Sequence, residues 1–202
     1  NVAIGYAALN QLNAGADGHN VAIGMEAGYA MTTGTHNTVI GANAGDAITT
    51  GSLNTLLGTY AGTGLTVGVH NTAVGYAALA SEDAHGLNVA IGYQTLTNQN
   101  AGANAYNVAV GYNTGLSVTT GTLNTILGGL AGDAITTGTG NIAIGYNALA
   151  VEDTGNSSIA IGQNCLQAQN NNASNFNTAI GDHAALALTS GIKCTAIGAS
   201  SL

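Results

Sequence analysis

The sequence contains no proline, no tryptophan, one phenylalanine, two cysteines and a single basic residue, Lys193. Each scarcity excludes something. Only 5% of residues are charged, where an ordinary globular enzyme carries about a quarter. One lysine against nine acidic residues leaves nothing to neutralise phosphates, so neither nucleic acid nor an anionic membrane surface is an expected partner. No apolar run approaches the roughly 18 residues a membrane span needs, and membrane insertion of this segment is not expected. Disordered chains combine low hydrophobicity with high charge and abundant proline. Here 46% of residues are hydrophobic and proline is missing, which predicts an ordered chain.

What is present is repetition. The phrase "TTGTHNTVIGANAGDAITTGSLNTLLG" nearly repeats itself within its own length. Aligning on Asn-x-small-aliphatic-Gly gives units that begin at Asn1, Asn20, Asn37, Asn54, Asn71, Asn88, Asn107, Asn124, Asn141, Ser158, Asn177 and Cys194, spaced by 17 or 19 residues. The fourth residue of each unit is aliphatic: Ile4, Ile23, Ile40, Leu57, Val74, Ile91, Val110, Leu127, Ile144, Ile161, Ile180 and Ile197. Glycine follows in all twelve units, a small residue three places later, and a second glycine usually near the end. Residues 54–123 also resemble 124–193, a 70-residue block of four units.

Such units are too short for a helix pair and lack helical periodicity. They fit two short strands separated by glycine turns, that is, one coil of an all-β parallel β-solenoid or β-roll running through 1–202 as a single repeat domain. One coil cannot bury its apolar face alone, so identical coils stack about 4.8 Å apart with like residues in ladders. The aliphatic ladder is expected to form the core, and the Asn ladder to exchange amide hydrogen bonds or cap a turn. The longer coils at 1, 88 and 158 should bulge at the second corner. A core of Ala, Ile and Thr is thin for 202 residues, which points to self-association, with the rows of small residues letting chains approach closely.

"NVAIG", "NTAVG" and "NIAIG", separated by turns such as "AITTG", resemble the head repeats of trimeric autotransporter adhesins. They are also similar to repeats of phage tail-fibre proteins, with "NIAIGYNAL" at 141–149 the nearest match. The likeness covers the whole chain. It implies a left-handed parallel β-roll, homotrimeric about a long axis, extracellular, and acting as a shaft or head in attachment to a host cell or surface glycan. The units are longer than the autotransporter repeat, which favours the tail-fibre variety. Beginning and stopping in mid-pattern, the sequence reads as a window on a longer fibre.

Few residues invite chemistry. His19, His36 and His70 share one place before the ladder Asn and are the candidate metal row. The same place holds Leu53, Leu87, Tyr106, Leu123, Phe176 and Lys193, which reads instead as a permissive outward position, and no metal or other cofactor is expected. Glu82-Asp83 and Glu152-Asp153 are paired carboxylates of the kind glycosidases use, but their recurrence with the 70-residue block reads as solvated turn charge, so no catalytic residues are assigned and no enzyme is expected. Cys165 and Cys194 lie two coils apart, too far for a disulfide. Tyr6, Tyr76, Tyr93, Tyr112 and Tyr146 form a candidate surface-binding row for glycans, with rim packing the alternative. The pairs Thr32-Thr33, Thr49-Thr50, Thr119-Thr120 and Thr136-Thr137 suggest an ice-binding array in some coils only. Acyltransferase hexapeptide coils are excluded by the 17- and 19-residue arithmetic, and calcium-binding nonapeptide rolls by the lack of their glycine-aspartate runs.

Overall fold

A computed structural model describes residues 1–13, 18–171 and 174–202. Twelve three-residue strands follow one another in a single parallel sheet whose spatial order is the sequence order. They are β1 (Val2–Ile4), β2 (Val21–Ile23), β3 (Thr38–Ile40), β4 (Thr55–Leu57), β5 (Thr72–Val74), β6 (Val89–Ile91), β7 (Val108–Val110), β8 (Thr125–Leu127), β9 (Ile142–Ile144), β10 (Ile159–Ile161), β11 (Thr178–Ile180) and β12 (Thr195–Ile197). Every strand pairs in the register the repeat predicts: Ile4 on Ile23, Thr55 on Thr72, Ile144 on Ile161. The chain is a parallel β-solenoid, and no helix occurs among the described residues. None is therefore long and apolar enough to cross a membrane.

Where two strands per coil are expected, one forms. The rest of each coil is a chain of turns, with non-glycine residues in the left-handed backbone region at fixed places, such as Tyr60 (φ 60°), Leu79 (φ 53°) and Leu53 (φ 61°). Each such residue costs roughly 1–2 kcal/mol in isolation. Neighbouring coils hold them there, since Tyr60 N–H donates to Ala42 at 3.0 Å, Leu79 N–H to Thr95 at 3.0 Å and Leu53 N–H to Thr35 at 3.0 Å. The turn limb is thus hydrogen-bonded along the axis like the strand limb.

The Asn at the head of most coils both joins coils and spans its own. Asn37 Nδ2 donates to Gly51 O at 2.8 Å within the coil, and its Oδ1 accepts the N–H of Asn54 at 3.0 Å from the next. The same pair of bonds recurs at Asn54 and Asn124, among others. These Asn side chains are fully buried, and no apolar residue could supply both bonds. In the longer coil at 88 the extra residues lie at the second corner, where Gly102, Ala103 and Asn104 are exposed. The matching insertions in the coils at 1 and 158 fall partly outside the described residues.

The core is built from the third, eighth, ninth and twelfth residues of each coil. In seven coils the third and ninth residues are reciprocal in size, whereas Ala22 with Gly28, Ala109 with Gly115 and Ala179 with Ala185 are small at both places. Coils with a large third residue, Val39, Leu56 or Ile126, have glycine at the ninth, Gly45, Gly62 or Gly132. Coils with Ala73, Ala90, Ala143 or Ala160 at the third have Leu79, Leu96, Leu149 or Leu166 at the ninth. A Cβ on Gly62 would meet Leu56 Cδ2 at 2.8 Å and Leu65 Cδ1 at 2.9 Å, so the glycine makes room for the leucine. Close packing favours such an exchange of volume.

Candidate functional site

The aliphatic ladder stacks in register, but outside. Strand alternation turns the second and fourth residues away from the coil, while the third is buried from Ala22 to Ala196. Ile4, Leu57, Val110, Ile180 and Ile197 count among the exposed residues, and Ile23, Ile40, Val74, Leu127, Ile144 and Ile161 are half-buried. This corrects the expectation that the ladder is core. A coil of 17 residues encloses only a narrow interior, and a branched residue on every rung would not fit beside the inward leucines and isoleucines of the turn limb.

Outside the coils, the ladder becomes one continuous face. The second residues are all Val, Ile or Thr, and no charged residue stands at the second or fourth place of any strand. Eleven coil steps at about 4.8 Å make the face roughly 50 Å tall, and a three-residue strand makes it about 10 Å wide, on the order of 500 Å². That is at the upper end of what a monomer's largest apolar patch covers.

No family model, curated protein or solved structure matches this chain. Its surfaces have to be read from their own chemistry.

The tyrosines form a ridge beside the face. Tyr76 and Tyr93 stack with ring centroids 5.3 Å apart and 13° between planes, and Tyr93 and Tyr112 at 5.3 Å and 11°. Tyr60 meets Tyr76 edge-on at 5.9 Å; it sits one place later in its coil and was not in the predicted row. Tyr6 and Tyr146 are exposed members of the same row at other coils. Because the stacked rings turn their faces to each other, the ridge offers solvent mainly edges and hydroxyls. Sugar stacking needs free ring faces, so the geometry favours packing.

His19 and His36 stack at 4.9 Å, whereas His70 is separated from them by the coil carrying Leu53. The three are exposed, and they are not brought together as one ligand set. The first threonine of each pair is used internally: Thr32 donates to Thr49 O at 3.1 Å, Thr49 to Thr66 O at 3.1 Å, Thr119 to Thr136 O at 3.2 Å and Thr136 to Asp153 O at 3.1 Å. Only Thr33, Thr50, Thr120 and Thr137 are left facing solvent. Cys165 and Cys194 are free thiols. Cys165 is buried, which raises its pKa, and it donates to Ala179 O at 3.2 Å.

Two carboxylates behave differently from expectation. Glu82 and Glu152 are fully buried rather than solvated, because they occupy the twelfth place, the row of Met31, Ile48, Leu65 and Ile135. Each is followed one coil later by a buried glutamine, Gln99 or Gln169. Glu152 is well partnered: Oε1 accepts Gly155 N–H at 2.8 Å, and Oε2 accepts Gln169 Nε2 and Asn175 Nδ2, both at 2.8 Å. Glu82 is held more loosely: His85 N–H donates to Oε1 at 3.3 Å, and Oε2 has no hydrogen-bond partner. Burial pushes the Glu82 carboxyl above its usual range, opposed by the backbone bond from His85.

Neutralising the two glutamates should therefore have opposite effects. Glu152→Gln leaves one of its inward N–H donors without an acceptor and is expected to lower stability by about 1–3 kcal/mol. Glu82→Gln removes a charge that is buried and only partly hydrogen-bonded, and is expected to leave Tm unchanged or raise it. Parallel thermal melts at neutral pH check the pair; equal loss in both would contradict the assigned hydrogen bonding.

Proposed function

We propose that this chain is a non-enzymatic fibre segment that self-associates through the outer face of its sheet, as a homotrimer. The observation that carries this is the charge-free aliphatic column of Ile4 through Ile197, displayed on a single chain instead of buried within it. An apolar face repeating every ~4.8 Å over about 50 Å finds a partner of the same pitch in another copy of itself. Three copies around a common axis would bury that face, on which none of the acidic residues lies.

The likeness of the repeat to phage tail-fibre and adhesin-head units supports a role in attachment outside the cell. The tail-fibre reading is preferred to an autotransporter head for the length of the unit, and a glycan- or ice-binding solenoid is disfavoured by the mutually covered Tyr rings and the internally bonded threonines. The expected mass by light scattering is three times the 19.7 kDa of one chain, with β-type circular dichroism on the same sample. A folded species at 19.7 kDa across micromolar concentrations would sink the proposal.

A further inference from the structure

Around Glu82 the two halves of the 70-residue repeat differ at buried positions, and the difference has the chemistry of a ligand site. Shifting by 70 residues maps Glu82 on Glu152, Asp83 on Asp153, His85 on Gly155 and Ala105 on Asn175. In the second copy the Asn175 amide and the Gln169 amide cover Glu152 Oε2. In the first copy Ala105 has no amide to offer, and Gln99 Nε2 donates to Thr119 O at 3.1 Å instead. Glu82 Oε2 is left buried and unpartnered, on a side chain with no solvent exposure. His85 stands where the second copy has glycine; its Nδ1 lies 3.7 Å from Glu82 Oε1 and makes no hydrogen bond. One ligand atom each from Glu82, Asp83 and His85 falls within 4.8 Å of the others.

We propose that Glu82, Asp83 and His85 form a site for a divalent first-row transition ion of the zinc type. One imidazole nitrogen with two carboxylate oxygens suits such an ion, whereas a calcium site would draw on oxygen ligands alone. Asp83 is exposed and the His85 side chain is 29% exposed, so an ion can enter from solvent and keep water on its open positions. Bound there, it would compensate the buried carboxylate and tie the start of the 82–85 turn to its end. The site lies on the turn limb, away from the outer sheet face, and is independent of trimer formation.

Titrating zinc chloride into the metal-stripped full chain by calorimetry, with calcium chloride alongside, tests this. One zinc per chain is expected at this site, with a rise in Tm, a tenfold or greater loss of affinity in His85→Ala and in Glu82→Gln, and no loss in His36→Ala or Glu152→Gln. The histidine variant replaces a partly exposed turn residue, and its circular dichroism checks that it is folded. Zinc uptake unchanged in His85→Ala, uptake lost in His36→Ala alone, or no uptake by the parent chain would each overturn the assignment.

Discussion

Replacing Ala143 by Asp is expected to unfold the solenoid around β9, whereas replacing Ile144 and Ile161 together by Asp is expected to leave the coils folded and prevent association. Ala143 is fully buried and shares the interior of its coil with Leu149, so an added carboxylate there has neither room nor a partner. The cost is on the order of 4 kcal/mol or more, borne by the coils on both sides through their shared ladders. Ile144 and Ile161 are half-exposed and in register on the outer face. Two carboxylates there remain hydrated in a single chain, but three chains around one axis would bring six together in an apolar seam. Melting curves and light scattering on the same samples separate the outcomes. Should the outer double variant melt far below the parent as a monomer while Ala143→Asp stays folded, the inside and outside of the coil have been assigned the wrong way round.

Gly58→Ala is expected to be nearly as damaging, although it adds one methyl group. Gly58 sits at the corner after β4 with φ +138°, a conformation L side chains rarely adopt, and a Cβ there would overlap the Gly75 carbonyl group of the next coil, whose carbon would lie at 2.7 Å. Backbone cannot rotate aside as a side chain can. Relief would require parting two coils, and with them the bonds from Gly75 N–H to Leu57 O at 2.8 Å and from Thr55 N–H to Asn71 O at 2.9 Å. A loss of roughly 3–5 kcal/mol, or about 10 °C in Tm, is expected. Gly102→Ala is the control. Its φ is +67°, but nothing lies within 4 Å of the added methyl, so only the left-handed backbone cost of about 1 kcal/mol should appear. Equal destabilisation by both would mean that coil-to-coil contact at Gly58 is not what limits the site.

The glycine corner and the strand register were legible in the sequence because both depend on strict spacing. Asn-x-small-aliphatic-Gly places β1 through β12 one residue after each unit's start. The facing of the strand was not, because alternation gives two faces without saying which closes on the coil. Hydrophobicity pointed the wrong way: Ile4, Ile23 and their row are more apolar than the alanines that are actually buried. A signal for the correct choice existed in the reciprocal sizes of Leu56 with Gly62 and Ala73 with Leu79, since residues that trade volume share one interior. Likewise Glu82 and Glu152 looked like turn charges until they were placed in the row of Ile48 and Leu65. The burial of Glu152 depends on partners more than ten residues away, Gln169 and Asn175, which no local pattern reveals.

In this solenoid each strand pairs only with the coil before and the coil after. Length is therefore a free variable for evolution: duplicating or deleting whole coils changes the length of the solenoid in increments of about 4.8 Å and touches only the neighbouring coils. The 70-residue duplication is the trace of one such event, four coils copied together. Where the third and ninth residues are reciprocal, as in Leu56 with Gly62 and Ala73 with Leu79, a copied coil carries that exchange of volume with it. The buried pairs are the exception. Glu152 bonds to Gln169 in the following coil, so these two coils must be inherited as a unit, and recombination between them would strand a charge. Buried polar pairs of this kind would mark where such a gene can be cut and rejoined, and where it cannot.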